Sequence, residues 1–450
     1  GVDRSGGPAS AGPVRMSLVF ARSHTTQAGG AQGAAGPAAG VTDRASIIVL
    51  PFANLSHDPE QEYFCDGLTQ DITTDLSKFA NLFVFAANSA FTYKGRAVRP
   101  SALAEELGVR YLLEGSVQRG GRKVRINAQL IEAESEAHLW ADRVDSALDD
   151  ILDAQDEMVR RIVSVLAVKM SASEMERAGR KRGTDASAYD AFLRGAHTYA
   201  AQVDSTAESE AGLLEAIGWF ERATEIDSSY ARAWGWLAYC HMNRVIEGWA
   251  GPELLPQIEA WARRAVALSP SDYDTHWALG FVYSASGRPE LGYAAFQQAL
   301  MLNPNDANML VEMAETMTAL GRHAEAVAQI ERAMQLNPHF PEWYRWALGW
   351  ALHHARLYER SNQQLQLIMA PNNEVRLIRA ANCARLAEAG KRGGDSACHA
   401  EFAAAAQRWC DEFRRRRGDW TLGKERESTH FTRDADRTHW LEGLGLAGLG

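Results

Sequence analysis

Residues 265–304 read AVALSPSDYDTHWALGFVYSASGRPELGYAAFQQALMLNP, and the chain repeats this stretch with a fixed period. Proline recurs every 34 residues, at Pro270, Pro304 and Pro338. Three further sets of residues keep the same spacing: Leu268, Leu302 and Leu336; Ala265, Ala299 and Ala333; Arg288, Arg322 and Arg356. Registers that stay in phase over three copies indicate one helical hairpin repeated along the chain.

A period of 34 residues, with small residues at fixed places and a proline after the second helix, is typical of tetratricopeptide repeats. Gly280 and Ala314 are expected where the two helices of a repeat meet, because larger side chains would hold the helices apart. Irregular copies extend the array in both directions, with an insertion around residues 248–256 and a stretched turn near residues 203–211. The pattern predicts an all-α solenoid over residues 185–417, with a concave surface suited to a partner.

In tetratricopeptide repeats, a fixed set of positions on each first helix usually lines the concave groove. Counted from Gly280 and its equivalents, these positions carry mainly aromatic side chains. The candidate partner-binding residues are Asp274, Trp277, Phe281, Asn308, Glu315, Trp343, Trp346 and Trp350. Such a groove favours a hydrophobic or extended protein or peptide ligand. The alternative is that several of these aromatic side chains pack between helices and contact no ligand.

Residues 46–170, upstream of the repeats, alternate strand and helix patterns. The run IIVLPF at residues 47–52 is typical of a buried strand, and Asp58 followed by Pro59 is a strong helix start. Residues 124–130 alternate apolar and polar side chains, which predicts a strand with one buried face. The predicted fold class is therefore an α/β amino-terminal domain, a small mixed sheet with helices, followed by an all-α solenoid.

The remaining segments contain no long run of apolar residues. Residues 1–45 are rich in glycine, alanine and proline and are expected to be disordered, residues 171–184 form a polar linker, and residues 418–450 form a tail. The apolar piece at residues 18–21 is too short for a secretory signal, and no apolar run is long enough to span a membrane. We therefore expect a cytoplasmic protein. The net charge, 47 − 57 = −10, argues against direct binding to nucleic acid.

No motif for catalysis or metal binding is recognisable. The phosphate-binding loop, the nucleophile elbow and the zinc-protease helix are all missing, and the five cysteines form no C-x-x-C pair. An acidic run could suggest a metal site, although its carboxylates mostly suit the first turns of a helix. This run contains Asp58, Glu60, Glu62, Asp66, Asp71 and Asp75. Cys65 is expected to be a small packing residue. We predict no catalytic residue, no cofactor and no metal.

The α/β block resembles a bacterial domain, the TolB amino-terminal type. The resemblance lies in IIVLPFANLSHDPEQEYFCDGLTQDITTDLSKF (47–79), FTYKG (91–95) and ELGVRYLLEGSVQRGGRKVRINAQLIEAESEAHLWADRVD (106–145). The ending FTRDADRTHWLEGLGLAGL (431–449) is similar to how such proteins end. The resemblance implies that this domain precedes tetratricopeptide repeats, typically after a class III adenylate/guanylate cyclase domain or a winged-helix domain, as in CadC-like regulators.

No cyclase domain and no winged helix is recognisable in this sequence. We therefore expect a non-catalytic regulatory or scaffold protein of a bacterial signalling system, which binds a protein partner through its repeats. Two alternatives stay open. The chain could be the carboxyl-terminal fragment of an adenylate/guanylate cyclase whose catalytic domain is missing, or the regulatory part of a winged-helix transcriptional regulator.

Overall fold

The computed structural model describes residues 45–56, 58–166, 184–203, 210–417, 420–428 and 431–449. The predicted disordered tail (1–45) and linker (171–184) lie outside this part of the chain, except for one residue each. The middle of the predicted stretched turn at 203–211 also lies outside it. The domain boundaries drawn from the sequence therefore stay predictions.

The amino-terminal domain contains a mixed six-stranded sheet. Its strands are β1 Ala45–Val49, β2 Ala53–Asn54, β3 Leu82–Val84, β4 Tyr111–Gly120, β5 Lys123–Glu132 and β6 Ala137–Ala147. The order is β3-β1-β4-β5-β6, with β2 paired to β4. Strand β1 runs parallel to β3 and β4, whereas β4, β5 and β6 are antiparallel neighbours. This is the small mixed sheet that the sequence predicted.

Four helices cover the two faces of this sheet: α1 Glu62–Ser77, α2 Ala87–Phe91, α3 Pro100–Leu107 and α4 Ile151–Val165. The side chain of Asp58 accepts a 3.0 Å hydrogen bond from the backbone NH of Glu60, so the predicted helix start is confirmed. Gly108 ends α3 in the left-handed region at φ 68°, as its sequence position indicated. The sequence reading missed β2 and α2, because segments of two and five residues are too short to show a period.

The rest of the chain is helical. The paired helices are α5 Ala186–Val203 with α6 Glu210–Ile226, α7 Ala231–Ile246 with α8 Leu255–Leu268, α9 Tyr273–Ala285 with α10 Pro289–Leu302, α11 Ala307–Ala319 with α12 His323–Leu336, α13 Glu342–His354 with α14 Tyr358–Leu365, and α15 Asn373–Gly393 with α16 Ser396–Arg416. Two further helices, α17 Leu422–Ser428 and α18 Asp434–Leu446, follow. We call the side formed by α5, α7, α9, α11, α13 and α15 the first-helix face, which is the concave side of such a solenoid.

Small residues set the spacing inside and between the helix pairs, as the repeat predicted. A Cβ atom added to Gly280 would lie 3.0 Å from the ring of Phe296, so α9 and α10 approach closely only because this residue is glycine. Ala299 and Ala333 are completely buried where successive pairs meet. The insertion between α7 and α8 contains a short 3-10 turn, Pro252–Leu254, at the place that the sequence indicated.

Candidate functional site

The α/β domain is held against the solenoid by a buried ion network centred on Arg232, which we call the domain joint. The guanidinium of Arg232 on α7 contacts Asp71 of α1 at 2.9 Å and Asp274 of α9 at 2.7 Å. The hydroxyl of Tyr189 donates a 2.6 Å hydrogen bond to the second carboxylate oxygen of Asp71. All three charged side chains are buried, so none of them can exchange its partner for water while the joint is closed.

This joint contains two residues that the sequence analysis singled out. Asp274 was expected to line a partner groove, but the structure places it in the interior beside Arg232. Most of the acidic run was attributed to the first turns of a helix, and its member Asp71 lies in the body of α1, where it pairs with a residue that is far away in sequence. No local pattern marks such a pair, because its two members come from different domains.

Polar side chains in the turns between repeats add a second line of contact to the α/β domain. The side-chain amide of Asn305 donates to three backbone carbonyls at distances of 3.0, 3.3 and 3.2 Å. These carbonyls belong to Ser77, Phe79 and Leu82. One repeat further on, Ser89 donates a 2.7 Å hydrogen bond to the side chain of Asn337. Both asparagine side chains are buried, so each bond is shielded from water.

The first-helix face of the second and third helix pairs carries a stack of aromatic rings. The ring of Tyr239 lies 4.6 Å from Trp277 and 4.5 Å from Phe281, and Trp236 lies 5.5 Å from Trp277. The indole NH of Trp277 donates a 2.5 Å hydrogen bond to Glu312 on α11. Trp277 is thereby buried between helices, whereas Phe281 is half-buried.

Three further predicted groove residues, Trp343, Trp346 and Trp350 on α13, are also buried. The ring of Trp350 is covered by Phe431 at 5.8 Å and by Trp440 at 4.9 Å. Both covering residues belong to residues 431–449, which we call the tail segment. These three tryptophans are therefore buried in this structure, as the alternative of packing between helices expects, and their contact with a partner stays a prediction. The helical register identified their face of the solenoid, but the tail segment and neighbouring helices already cover that face.

The other predicted groove residues are more accessible. Asn308 is exposed, and its side-chain oxygen accepts a 2.7 Å hydrogen bond from the hydroxyl of Tyr344. Glu315 is half-buried, as is Phe281. Asn308, Glu315 and Phe281 are therefore the residues of the predicted set that a partner could reach without displacing another part of the chain.

Four histidines come together where the tail segment meets the first-helix face. The ring of His353 lies 5.0 Å from His354 and 5.2 Å from His439 of α18, and His323 lies 5.6 Å from His354. Burial lowers the pKa of His353 to about 3 and that of His439 to about 4. Burial also lowers the pKa of His323 and, strongly, that of His354. The cluster is thus built from neutral rings.

His353 and His354 are adjacent in the sequence, but neighbours on a helix face different directions, so the pair alone indicates no metal site. His323 and His439 were missed, because they approach the pair through the fold. The composition of the tail segment is the sequence feature that could have indicated this contact. The tail segment carries Phe431, His439 and Trp440 in a short helix-forming stretch far from the repeats.

The described residues show neither a reactive thiol at Cys65 nor a metal site. The thiol of Cys65 is buried, and burial raises its pKa to about 12, which keeps it protonated at neutral pH. In the parts of the chain that the structure describes, no group of three or more histidine, cysteine or carboxylate side chains could hold a metal ion. Within the same ranges, no helix has the length and apolar character needed to cross a membrane.

Comparison with known proteins supports the repeat assignment. Residues 283–348 match the family profile of the tetratricopeptide repeat. These residues run from the end of α9 to the middle of α13, the region where the 34-residue period is most regular. The chain therefore contains tetratricopeptide repeats. The comparison does not extend to the α/β block, so its resemblance to the TolB amino-terminal type stays a prediction.

One curated relative is the Rhizobium meliloti (strain 1021) protein named "Putative adenylate cyclase 3". It is 41% identical over 253 residues, which are 56% of this chain and 42% of the relative. The chain thus matches less than half the length of that protein, and the identity by itself transfers no activity.

Among solved structures, a Pseudomonas aeruginosa pilF structure is 16% identical, covers 52% of this chain and 97% of its own, and has a TM-score of 0.36. YrrB, described as a TPR protein with an unusual peptide-binding site, is 18% identical and covers 40% of this chain and 83% of its own, with a TM-score of 0.28. Likenesses at this level assign neither a partner nor a function.

Proposed function

We propose that the chain is a non-catalytic regulatory or scaffold module of a bacterial, cytoplasmic signalling system, and that it binds a protein partner on its first-helix face. The observation that carries this proposal is the tetratricopeptide repeat match over residues 283–348. Solenoids of stacked helix pairs present an extended concave surface, and such surfaces bind peptide segments. The fixed attachment of the α/β domain would transmit binding at one module to the other.

The accessible part of this face offers an aromatic and a negatively charged contact. Phe281 provides apolar surface, Asn308 offers an exposed amide, and Glu315 contributes a carboxylate on the neighbouring first helix. A segment with an apolar side chain followed by a basic one would match these groups. The binding contribution is expected to concentrate on the aromatic anchor, with the polar residues setting orientation.

Selection of peptides from a random display library on the full chain tests this proposal. Selected peptides should lose at least tenfold in affinity for a Phe281→Glu/Glu315→Lys variant. A Met301→Glu variant is the matched control, because Met301 is exposed on the second helix α10, on the opposite side of the repeat. Equal loss in both variants, or no loss in either, would contradict binding on the first-helix face.

A second candidate follows from the 41% identity to the protein named as an adenylate cyclase. In this candidate the chain is the carboxyl-terminal regulatory portion of a cyclase, and the catalytic domain is a separate part of the protein. Assays of the purified chain with ATP or GTP and Mg²⁺ or Mn²⁺ separate the possibilities. We expect no cyclic nucleotide above background, and robust turnover would show that the chain is itself an enzyme.

A further inference from the structure

The tail segment (431–449) folds back across the first-helix face. Its helix α18 packs against α13 and α15, which are the first helices of two successive pairs. The ring of Phe431 stacks on Trp350 and lies 4.8 Å from the ring of His354. Trp440 meets Trp350 edge-on and lies 5.2 Å from His353. Two aromatic side chains of the tail segment thus occupy the place expected for a partner's anchors.

Polar contacts fix the position of the tail segment along the solenoid. The backbone NH of Thr432 donates a 3.1 Å hydrogen bond to the carbonyl of Ala319, at the end of α11. The guanidinium of Arg385 on α15 donates to the carbonyl of His439 at 2.7 Å. The indole NH of Trp440 donates to Glu425 at 2.9 Å. This pattern, a short amphipathic helix with aromatic anchors and a few backbone contacts, is the helix-in-groove mode of recognition.

The same contact contains polar atoms that the described residues do not satisfy. Neither ring nitrogen of His354 has a hydrogen-bond partner among them, nor has Nε2 of His353. Such atoms reduce the stability that the aromatic contacts provide. One ring nitrogen of each neutral histidine gains a proton when the ring becomes charged, and the interface gives most of that charge nothing to pair with.

The charged groups around the histidines make their protonation in the docked state still less favourable. Among the described residues, arginines approach from α15, from the turn after α13 and from the start of the tail segment, whereas the carboxylates approach from α18. These groups are Arg385, Arg356, Arg433, Asp436 and Glu442, with the hydroxyl of Tyr358 also facing His439. Asp436 lies 3.4 Å from His323 and is the carboxylate that a protonated ring there could pair with. Positive groups outnumber negative ones, so extra protons are disfavoured.

We propose that the first-helix face at α13 and α15 is a helix-binding site which the tail segment occupies within the same chain, and that protonation of the four histidines releases it. A partner for this site is an amphipathic helix with two aromatic side chains spaced as Phe431 and Trp440 are. This inference rests on the proposed function, because it takes the first-helix face as the partner-binding face. It adds an amphipathic helix as the class of partner and release by protonation as the regulation, and the proposed function requires neither.

The direction of the pH effect follows from linkage. A histidine that becomes exposed to water on release regains an ordinary pKa of about 6.5, whereas in the docked state burial lowers the pKa of His353 to about 3 and that of His439 to about 4. The released state therefore binds more protons below about pH 6.5, and docking weakens as the pH falls. At pH 5.5, each histidine shifted this far weakens docking by about tenfold.

The first experiment measures binding of a labelled peptide of residues 431–449 to the full chain at pH 7.5. A Trp440→Ala variant, whose own tail segment has lost its main anchor, should bind the peptide at least tenfold more tightly than the unmodified chain. The matched control is Trp234→Ala on α7, which removes a half-buried tryptophan that packs under Arg264 instead. Equal binding by all three chains, or no binding by Trp440→Ala, overturns the proposed site.

The second experiment measures hydrogen exchange of α18 at pH 7.5 and pH 5.5, corrected for the intrinsic exchange rate. Exchange should accelerate at least tenfold at pH 5.5, and His354→Phe should reduce this acceleration while the exposed His138→Gln control leaves it unchanged. Unchanged exchange between the two pH values overturns the pH-dependent release. If peptides selected at Phe281 still bind in that case, the proposed function stands while this inference fails.

Discussion

Two parts of the chain fold onto the same solenoid, and they use opposite electrostatics. The α/β domain docks through a buried ion network: Arg232 lies between Asp71 and Asp274, and both carboxylates are within ion-pair distance of its guanidinium. The tail segment docks through aromatic rings and neutral histidines, some of whose ring nitrogens have no partner among the described residues. Full pairing of buried charges makes a contact costly to open. Neutral titratable groups make a contact that a change of pH can open.

The two contacts also respond to acid with opposite signs. Burial raises the pKa of Asp274 to about 6, so the folded domain joint holds a proton more readily than the unfolded chain does. Its contribution to stability therefore increases as the pH falls below about 6. The histidines have lowered pKa values when docked, so the contribution of the tail segment decreases over the same range. A single change of pH thus separates the two contacts.

The largest expected effect comes from breaking the domain joint. Arg232→Met removes the only cation that the described contacts place between Asp71 and Asp274, and it leaves two buried carboxylates without their shared guanidinium. We expect a loss of about 3–5 kcal/mol in the free energy of unfolding, measured by denaturant titration. The control is Arg222→Met, because Arg222 makes an exposed ion pair with Glu225. That change should cost less than about 1 kcal/mol, and equal costs would contradict the special role of the joint.

A smaller effect is expected from the second line of contact to the α/β domain. Asn305→Ala removes the donor for three buried carbonyls and adds no group that could replace it. We expect a loss of about 2–3 kcal/mol in the free energy of unfolding, because unsatisfied buried acceptors are costly. The loss should be the same at pH 7.5 and pH 5.5, since no histidine is involved in these bonds. A strong pH dependence of this loss would contradict the claim that the contact between Asn305 and the α/β domain stays closed at both pH values.

The smallest expected effect concerns the tail segment alone. Gly443 faces α15, and a Cβ atom added there would lie 3.2 Å from the Cβ of Ala381. Gly443→Val should therefore weaken docking of α18 by about 1–2 kcal/mol, because the two helices cannot approach as closely. Native-state hydrogen exchange should show the loss in α18 and leave α1 unchanged. A matching loss in α1 would mean that the two contacts open together.

Much of the fold could be predicted from the sequence because its signals are local. The spacing of Pro270, Pro304 and Pro338 reflects one repeated hairpin, and the alternation in β5 reflects a sheet with one buried face. The pairing of Asp58 with the first turn after it is likewise a contact between near neighbours. Each of these features depends on residues within one element or one repeat.

The candidate site could be predicted only in part, for a physical reason. Helical periodicity placed Trp350 on the correct face of the solenoid, but it carries no information about which distant segment covers that face. Phe431 and Trp440 reach Trp350 from about 80–90 positions further along the chain, so no window of local sequence links them. The same holds for Asp71 and Arg232, whose charges meet between two domains. Burial of a predicted anchor is a property of the whole chain.

The most direct test of the account follows hydrogen exchange of α1 and α18 in the same sample at pH 7.5 and pH 5.5. Helix α1 reports the domain joint, and α18 reports the tail segment. After correction for intrinsic rates, we expect α18 to lose protection at pH 5.5 and to regain it on return to pH 7.5, while α1 stays protected throughout. Loss of protection in both helices together, or in neither, would contradict the claim that one contact is permanent and the other releasable.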